Sequence, residues 1–561
     1  MNKHNLFVLA SAATLAMLPS LAPAEMTLTR IATMPVGAEV TGISTNAIGD
    51  LFLNAQHPGG KNTFKGEAPP ALVGYIAGFD PSAPSMSIPS EGQRGSVSTN
   101  SGEYVTFGKA GDALGNGQVY GGVYDAAGEL MYISNTPDFN GFISTGANSA
   151  YLYTGWEGAG RDGASAISKV TLSRSGGKWS SDLASSKMLD LSSISGGAVL
   201  CSGTVTPWGT PLLAEEYFFY NTATWNHPDN HDADERASYQ GGNDINFIKP
   251  KNMSQYLGEM ANPYRYGYMI EINNAASSDD EQLVKHFATG RLSHETAAIM
   301  PDNKTLYMSD DDSAVYSHKT YNTASGGVLF KFVADFAGDL SAGTLYAAKL
   351  TQDDSTVPAE AGFDVNWIEL GHSNNAEIES WIAEYDDVTV SDYVDGQTNY
   401  ISDDQIRAYA AGTAPDSRAP FLESRRTAAA MGATNEWDKL EGVTSHGNTV
   451  YIAVSALGFT MDKTWGHKDW STGVIDTSVA GDIALNAEAC GATYVATTGD
   501  DYNITRLDPY VVGQTDAEGR CEADLPANPD NIVALNDGTL LIGEDAGKKK
   551  HDVDMLWMVK N

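Results

Sequence analysis

Four short segments of the sequence combine acidic side chains with tight turns and could therefore bind cations. In the first segment, the lone thiol of Cys201 precedes a Pro-Trp-Gly turn, and the acidic pair Glu215 and Glu216 ends an apolar strand. A carboxylate that directly follows buried strand residues costs free energy unless something pairs with it. A metal ion is one such partner, so this segment is a candidate metal site.

The second segment places His294 and Glu295 in one predicted strand, ahead of an aspartate run at 310–312. Adjacent strand residues point to opposite faces, so only one of the two can face a shared centre unless the strand bulges. We predict that Glu295 does so. The three aspartates are either oxygen ligands of calcium or a solvated turn, and taken alone they fit the solvated turn better.

The third segment contains Lys439 and Glu441, which share one face of a predicted strand because they are two residues apart. Such a pair is either an ordinary surface ion pair or a metal ligand beside a charge that binds phosphate. The sequence of this segment leaves both interpretations open.

The fourth segment consists of two turns, 528–531 and 543–545, which flank one predicted hairpin with oxygen donors. Turns in which the side chain bonds to its own backbone would explain Asn528 and Asp530 without a metal ion. The alternative is that these oxygens bind calcium.

The elements that position these segments are predicted to be β-hairpins. Short apolar strands beside Gly, Asn or Asp turns recur along the chain, for example at 49–53, 128–133, 302–308 and 536–542. Their irregular spacing is typical of a divergent β-propeller, whereas a β-sandwich would show tighter and more even spacing. We therefore predict an all-β fold.

Helices are predicted only in an insertion over about 364–432. Within it, Ser402 and Gln405 form a helix-capping pattern, and Gly432 supplies a stop. The sequence has neither a Gly-rich phosphate loop nor a Gly-x-Ser-x-Gly elbow, which disfavours nucleotide-binding and serine-hydrolase folds.

Composition and targeting signals indicate an exported protein. Residues 1–24 have the pattern of a secretory signal peptide with cleavage after Ala24, and we expect 25–561 to form a single domain. No later run is apolar enough to span a membrane, so we expect a periplasmic or extracellular location. The 71 acidic against 34 basic residues disfavour nucleic acid and anionic membranes as partners.

Three cysteines need an explanation in an oxidising compartment. Cys490 and Cys521 lie in neighbouring loop-like stretches and can pair as a disulfide. Cys201 is then left over, either as a buried inert thiol or as a ligand.

Taken in order, these segments resemble the PhoX-type alkaline phosphatases, a secreted bacterial family. The resemblance covers about 195–547, and the shared order of the motifs makes it specific, although each motif alone is weak. The matching motifs are TPWGT at 206–210 with 215–216, NPYRYG at 262–267 with 270–272, GR at 290–291 with 294–295, GVLFKFV at 327–333, 428–434, KLEG at 439–442, and NPDN at 528–531 with GED at 543–545.

The resemblance implies an irregular six-bladed β-propeller whose central funnel holds two ferric ions, Fe(III), and several calcium ions, with a cysteine thiolate on the iron. It implies hydrolysis of small phosphate monoesters, with Lys439, Glu441 and Cys201 as the catalytic set. The metal ligands that it implies are Cys201, Glu216, Glu295, Glu441, Asp530 and Asn531, with Glu215 and Asp545 as second choices.

Two departures from the family pattern stand out. Lys439 lies where many members carry arginine, so a planar fork is replaced by a point charge. The segments at Glu39 and 49–59 resemble a motif that the family carries near its C-terminus, and a circular permutation would explain this position. Glu39 would then face the centre, and 26–60 would pack beside the chain's end. The region 135–142 would add calcium ligands.

Two other functions fit the same residues. A calcium-dependent propeller lactonase or phosphotriesterase would use similar carboxylates without iron, and Cys201 would then not matter. A non-enzymatic, calcium-stiffened binding module would lose its fold on chelation, with no activity to lose.

Overall fold

The computed structural model describes residues 26–60, 69–158, 163–216, 222–231, 250–311, 326–464 and 481–560. The expected signal peptide at 1–24 and the third aspartate of the 310–312 run lie outside the described residues.

The strands of the described chain pair into antiparallel sheets, most of which divide into six four-stranded units. Unit 1 contains β2 (Glu39–Thr45), β3 (Leu51–Gln56), β4 (Leu72–Ala77) and β6 (Glu103–Lys109). Unit 2 contains β9 (Pro137–Gly146), β10 (Ser149–Trp156), β11 (Ala166–Ser175) and β12 (Lys178–Met188). Unit 3 contains β13 (Leu200–Val205), β14 (Pro211–Glu215), β15 (Met269–Asn273) and β16 (Gln282–His286).

The second half of the chain repeats this arrangement. Unit 4 contains β17 (His294–Ile299), β18 (Thr305–Asp310), β19 (Leu329–Phe336) and β20 (Asp339–Gln352). Unit 5 contains β22 (Leu440–His446), β23 (Thr449–Val454), β24 (Ala492–Thr497) and β25 (Arg506–Val512). Unit 6 contains β26 (Pro529–Ala534), β27 (Leu540–Glu544), β28 (Met555–Lys560) and, from the other end of the chain, β1 (Thr27–Thr33).

Three smaller pieces complete the sheets. The strand β21 (Phe363–Asn374) extends unit 4 and pairs with β25, which joins units 4 and 5 into one sheet. The short strand β5 (Ser98–Thr99) pairs with β1, and β7 (Gly122–Tyr124) forms a separate hairpin with β8 (Leu130–Ile133).

The first strands of the units contact one another in a closed ring. The contacts run from β2 to β9, β13, β17, β22 and β26, and from β26 back to β2. A closed ring of antiparallel units is a β-propeller, and the predicted all-β propeller is confirmed. Because β1 pairs with β28, the two ends of the described chain complete the same unit.

The helices lie mainly between units 4 and 5, where an insertion was predicted. They are α1 (Pro250–Leu257), α2 (Asn375–Ala383), α3 (Asp403–Ala410), α4 (Ala419–Leu422), α5 (Ser424–Ala430) and α6 (Gly547–Lys550). Ser402 and Gln405 form the predicted capping box of α3. The predicted start of the insertion at 364 is wrong, because residues at the start of β21 alternate between buried and exposed as a strand requires. Within the described ranges, no helix combines the length and the apolar character that a membrane crossing needs.

The core lies between neighbouring units, and it explains why acidic residues at strand ends are buried. The second strands β3, β14, β18 and β27 are buried along their whole length. Each such strand is covered on both faces, so its sequence is a nearly continuous apolar run. A carboxylate at the end of such a strand lies inside the protein.

Candidate metal centre

Each unit contributes one potential metal ligand from the start of its first strand. Glu39 is the first residue of β2, and the other five are the second residues of their strands. These six residues, which we call the first-strand ring, are Glu39, Asp138, Cys201, Glu295, Glu441 and Asp530. Since the first strands surround the centre of the propeller, the six side chains meet at one end of it.

A second ring lies one residue beyond the second strand of each unit. Its members, which we call the second-strand ring, are His57, Glu157, Glu216, Asp311, Ser455 and Asp545. Apart from His57 and Ser455, all residues of the two rings are carboxylates or the Cys201 thiol. The propeller therefore repeats one placement of ligand-type side chains around its axis.

The residue before the first strand has left-handed backbone in three units. Val199, Lys439 and Asn528 lie directly before β13, β22 and β26 and have φ angles of 49°, 57° and 44°. Left-handed backbone is unfavourable for lysine and most of all for β-branched valine, whereas asparagine tolerates it. In each case the ring residue follows two positions later, so the turn directs that side chain.

Ligand-type atoms of the two rings form four groups, in each of which they lie within 4.8 Å of one another. Three groups share members: Asp138, Glu157 and Cys201; Cys201, Glu216 and Glu295; and Glu295, Asp311 and Glu441. We call their union the thiol side. The fourth group, the oxygen side, consists of Glu39, Asp530 and Asp545.

Glu295 lies where the thiol-side groups meet, and its surroundings fit a cation. Its side chain is 1% exposed, and within the described residues no group donates a hydrogen bond to either of its oxygens. A buried polar group without a partner costs about 1–3 kcal/mol, and more when it is charged. A metal ion bound to these oxygens would remove that cost, so the residues present fit a metal centre.

The crowding of acidic groups raises their pKa values. Burial raises the pKa of Glu295 well above its ordinary value, and neighbouring carboxylates raise it further. Burial raises the pKa of the Cys201 thiol well above its ordinary value, and nearby carboxylates, with Asp138 first, raise it further. Burial and the nearby Asp311 raise the pKa of Glu441 to about 7, although Lys439 opposes this. Bound cations would reverse these shifts, because they favour the ionised ligands.

Lys439 is the cationic side chain of the thiol side. Its Nζ atom lies 2.6 Å from Asp311 Oδ2 and 2.6 Å from Glu441 Oε1. Burial alone would lower the pKa of Lys439, but the surrounding carboxylates raise it well above its ordinary value. The Lys439 side chain is still 29% exposed, so it connects the buried cluster with solvent.

Two predicted residues have other partners. Glu215 lies beside Glu216 but forms an ion pair with Lys285, at 2.9 Å, and belongs to neither ring. Asn531 donates from Nδ2 to Asp138 Oδ1 at 3.2 Å, and its Oδ1 accepts from the Gly42 backbone at 3.1 Å.

The other residues of the second segment, Asp310, Asp311 and His294, are buried in the protein. Asp310 and Asp311 are both fully buried, because β18 ends inside the protein, and the solvated-turn interpretation is wrong for these two residues. Asp310 bonds to Arg425, whereas Asp311 belongs to the thiol side. His294 points away from the cluster, as its ring contacts the Gly290 carbonyl and burial lowers its pKa to about 4.

Glu157 belongs to none of the sequence motifs, and the sequence indicates Asp138 only as part of the region 135–142. Glu157 follows the buried end of β10 just as Glu216 follows β14. The signal that identifies it is therefore an acidic residue placed directly after the second strand of a unit.

The cysteines divide as the sequence allowed. Cys490 and Cys521 form a disulfide, and Cys201 is a free, buried thiol. The Cys201 sulfur lies 3.4 Å from Glu157 Oε1 and 3.6 Å from Asp138 Oδ2. The unpaired thiol thus lies inside the cluster of carboxylates.

The comparisons with known proteins give one family match. The model of the family described as alkaline phosphatase PhoX matches residues 166–559, which include every ring residue from Cys201 onward. No curated protein matches the chain.

Solved structures are similar only at low identity. A calcium structure of a Trichoderma reesei carbohydrate-active enzyme of family AA12 is 9% identical, with a TM-score of 0.36 and coverage of 96% of each chain. A putative oxidoreductase (glucose dehydrogenase) from Thermus thermophilus is 9% identical, with a TM-score of 0.31 and coverage of 95% of this chain and 100% of that chain. At these values the likeness carries no information on activity.

Proposed function

Because the chain belongs to the PhoX alkaline phosphatase family, we propose that it hydrolyses phosphate monoesters at the centre formed by the two rings. The observation that carries the proposal is the group of Cys201, Glu216 and Glu295, whose ligand atoms lie within 4.8 Å of one another. A buried thiol among carboxylates suits a metal-dependent hydrolase whose metal accepts sulfur. A site that binds calcium alone would not use the thiol, because calcium takes oxygen ligands.

The proposed cofactors are Fe(III) and Ca²⁺. Iron accepts sulfur and carboxylate ligands, so Cys201, Glu216 and Glu295 would hold it. Calcium takes only oxygen ligands, so Glu39, Asp530 and Asp545 would hold calcium. Glu441, Asp311, Asp138 and Glu157 complete the thiol side. Asn531 supports Asp138 through its hydrogen bond.

The bound metal ions would neutralise the charge of the phosphate group and activate an oxygen nucleophile. The protein's own contribution to phosphate binding is Lys439, whose ammonium group is held by Asp311 and Glu441. As a point charge it attracts a phosphate oxygen without the bidentate geometry of arginine. Local positive charge is needed here, because the chain has a net charge of −37 and repels anions.

Export and permutation are part of the proposal. The signal-peptide pattern of 1–24 and the disulfide between Cys490 and Cys521 suit a periplasmic or extracellular location. The pairing of β1 with β28 and a family match that begins at residue 166 are what a circularly permuted relative would have.

The test compares p-nitrophenyl phosphate turnover and metal content in the wild type and in Cys201→Ala. We expect the variant to lose iron and at least about 100-fold in activity, because a metal ligand is removed. The matched control is Thr204→Ala, a change on the same strand β13 outside both rings, which should keep both. A wild type that turns over substrate without iron, or a Cys201→Ala variant equal to the control, would contradict the proposal.

A further inference from the structure

Three of the six units carry another buried carboxylate, directly before the residue of the second-strand ring. These carboxylates, which we call the anchor carboxylates, are Glu215, Asp310 and Glu544, the last residues of β14, β18 and β27. All three are fully buried. They face away from the ligand groups, so the proposed chemistry does not use them.

Each anchor carboxylate accepts a hydrogen bond from the backbone N–H of the residue that lies 17 positions earlier in the chain. The bonds run from Ala198 N to Glu215 at 3.0 Å, from Ser293 N to Asp310 at 2.9 Å and from Ala527 N to Glu544 at 3.0 Å. The same bond therefore occurs in three units whose sequences differ.

This bond fixes the backbone just before a ring ligand. Ala198 and Ala527 lie three residues before Cys201 and Asp530, and Ser293 lies two residues before Glu295. A shift of the backbone at these positions would move the ligand that follows.

The other oxygen of each anchor carboxylate holds the start of the third strand. Tyr268 N donates to Glu215 at 3.1 Å, Val328 N to Asp310 at 3.3 Å and Met555 N to Glu544 at 3.0 Å. One carboxylate at the end of the second strand thus ties the first and third strands of its unit together at the metal end.

Each anchor carboxylate also has its own cationic or imidazole partner outside the rings. Lys285 bonds to Glu215 at 2.9 Å, Arg425 to Asp310 at 2.7 Å and His551 to Glu544 at 3.0 Å. Fully bonded in this way, the three carboxylates are held rigidly and have no free oxygen for a metal ion.

The other three units have no carboxylate at this position. Their second strands end in Gln56, Trp156 and Val454. In unit 1 the Gln56 side chain donates to the ring residues Asp138 and Glu157. The anchor device is therefore confined to units 3, 4 and 6.

We propose that the anchor carboxylates are positioning residues, each of which sets the metal affinity of the side to which its own unit contributes. Glu215 and Asp310 serve the thiol side through Cys201 and Glu295, and Glu544 serves the oxygen side through Asp530. The inference rests on the proposed metal centre and adds the residues that hold its geometry. Residues that orient metal ligands from outside typically contribute about 10- to 100-fold to affinity.

The experiment uses the mature full-length protein and the variants Glu544→Gln and Glu215→Gln. Glutamine keeps the size of the side chain but replaces one acceptor oxygen with a donor, so one backbone N–H loses its bond. Calcium affinity is measured by titrating Ca²⁺ into chelator-treated protein, and iron affinity by competition with an iron chelator. Thermal unfolding of the chelator-treated protein reports stability separately.

We expect a crossed result. Glu544→Gln should weaken calcium binding about 10- to 100-fold and leave iron affinity within about twofold, and Glu215→Gln should do the reverse. The matched control is Glu271→Gln in unit 3. Glu271 is also buried and bonds to His286 at 2.7 Å. It also accepts hydrogen bonds from Trp208 and Thr210, but these lie in the turn between β13 and β14, at the opposite end of the two strands from the ring residues, so neither metal affinity should change.

Two results would overturn the inference: equal losses of both metals in every variant, including Glu271→Gln, or metal affinities that follow stability alone. A wild type that binds neither metal would instead contradict the proposed function and the inference together. If Glu215→Gln fails to fold because Lys285 loses its partner, the comparison of Glu544→Gln with Glu271→Gln decides the question alone.

Discussion

The thiol side and the oxygen side of the centre are built from the same structural positions but differ in chemistry. Each side takes its ligands from the start of first strands and from the residue directly after second strands. The thiol side adds a sulfur atom and the Lys439 ammonium, whereas the ligand group of the oxygen side consists of carboxylates, of which Glu39 pairs with the His57 imidazole at 3.0 Å. The repeated fold therefore provides the positions, and the residue at each position selects the metal ion.

The largest expected effect comes from Glu295→Gln. Glu295 belongs to two thiol-side groups, so the variant should lose iron and more than about 100-fold in phosphatase activity while calcium remains on the oxygen side. Metal analysis and p-nitrophenyl phosphate turnover check this.

The same variant should be more stable than the wild type when both are stripped of metal at pH 8. The reason is that Glu295 is buried among other acids, and its two oxygens accept no hydrogen bond within the described chain. Urea unfolding in chelator measures the difference. Equal or lower stability of the stripped variant would show that Glu295 is not under electrostatic stress.

The second prediction concerns the pH dependence of the metal-free protein. A carboxyl group whose folded pKa lies above its unfolded value stabilises the protein fully below the unfolded pKa and loses that effect as the pH rises through the folded one. For Glu441 this pH window runs from its ordinary pKa of 4.5 to its folded pKa of about 7. Across it, the free energy of unfolding of the stripped protein should fall by roughly 3 kcal/mol.

The stripped protein should therefore unfold at a higher urea concentration at pH 5 than at pH 8, and the metal-loaded protein should not. Glu441→Gln should reduce the difference in unfolding urea concentration between pH 5 and pH 8 in the stripped protein. The matched comparison is Glu271→Gln. Burial raises the pKa of Glu271, but its bonds to His286 and other neighbours outweigh burial, so its pKa is lowered overall. A stripped wild type with no pH dependence would argue against the crowding of acids on the thiol side.

The third prediction concerns Lys439. Lys439→Ala should raise the KM for p-nitrophenyl phosphate about tenfold and weaken inhibition by inorganic phosphate by a similar factor, because one charge near the phosphate is lost. Lys439→Arg should restore binding. Lys349→Ala removes a comparable lysine that pairs with Asp482 away from both rings, and it should change neither constant. Unchanged phosphate inhibition in Lys439→Ala would remove Lys439 from substrate binding.

The smallest expected effect lies on the oxygen side, at the disulfide. The Cys490 carbonyl accepts a hydrogen bond from Asn528 N at 2.8 Å, two residues before Asp530. Replacing both Cys490 and Cys521 by serine should lower calcium affinity a few-fold and leave iron content unchanged, alongside a stability loss of about 2–4 kcal/mol. A loss of iron before calcium would contradict the assignment of the disulfide to the oxygen side.

The sequence predicted the residues that belong to recognisable motifs. Cys201, Glu295, Glu441 and Asp530 lie in or beside short motifs whose order identifies the family, and all four lie in the first-strand ring. The hairpins also predicted the all-β propeller, since alternating strands beside Gly and Asn turns are a local signal.

The remaining features depend on which strands are covered, and that is a tertiary property. Asp311 fits a solvated turn in sequence because nothing local shows that β18 ends inside the protein. Glu157 has no motif, and only the alignment of units in space makes it equivalent to Glu216. The choice between Glu215 and Glu216 likewise depends on Lys285, which reaches Glu215 from another strand of the unit.

The most direct test of the two-sided centre is a crystal structure of the metal-loaded protein with anomalous diffraction measured on both sides of the iron absorption edge. We predict an iron signal within bonding distance of Cys201 Sγ and Glu295, and calcium without iron among Glu39, Asp530 and Asp545. Iron bound away from Cys201, or the same metal on both sides, would contradict it.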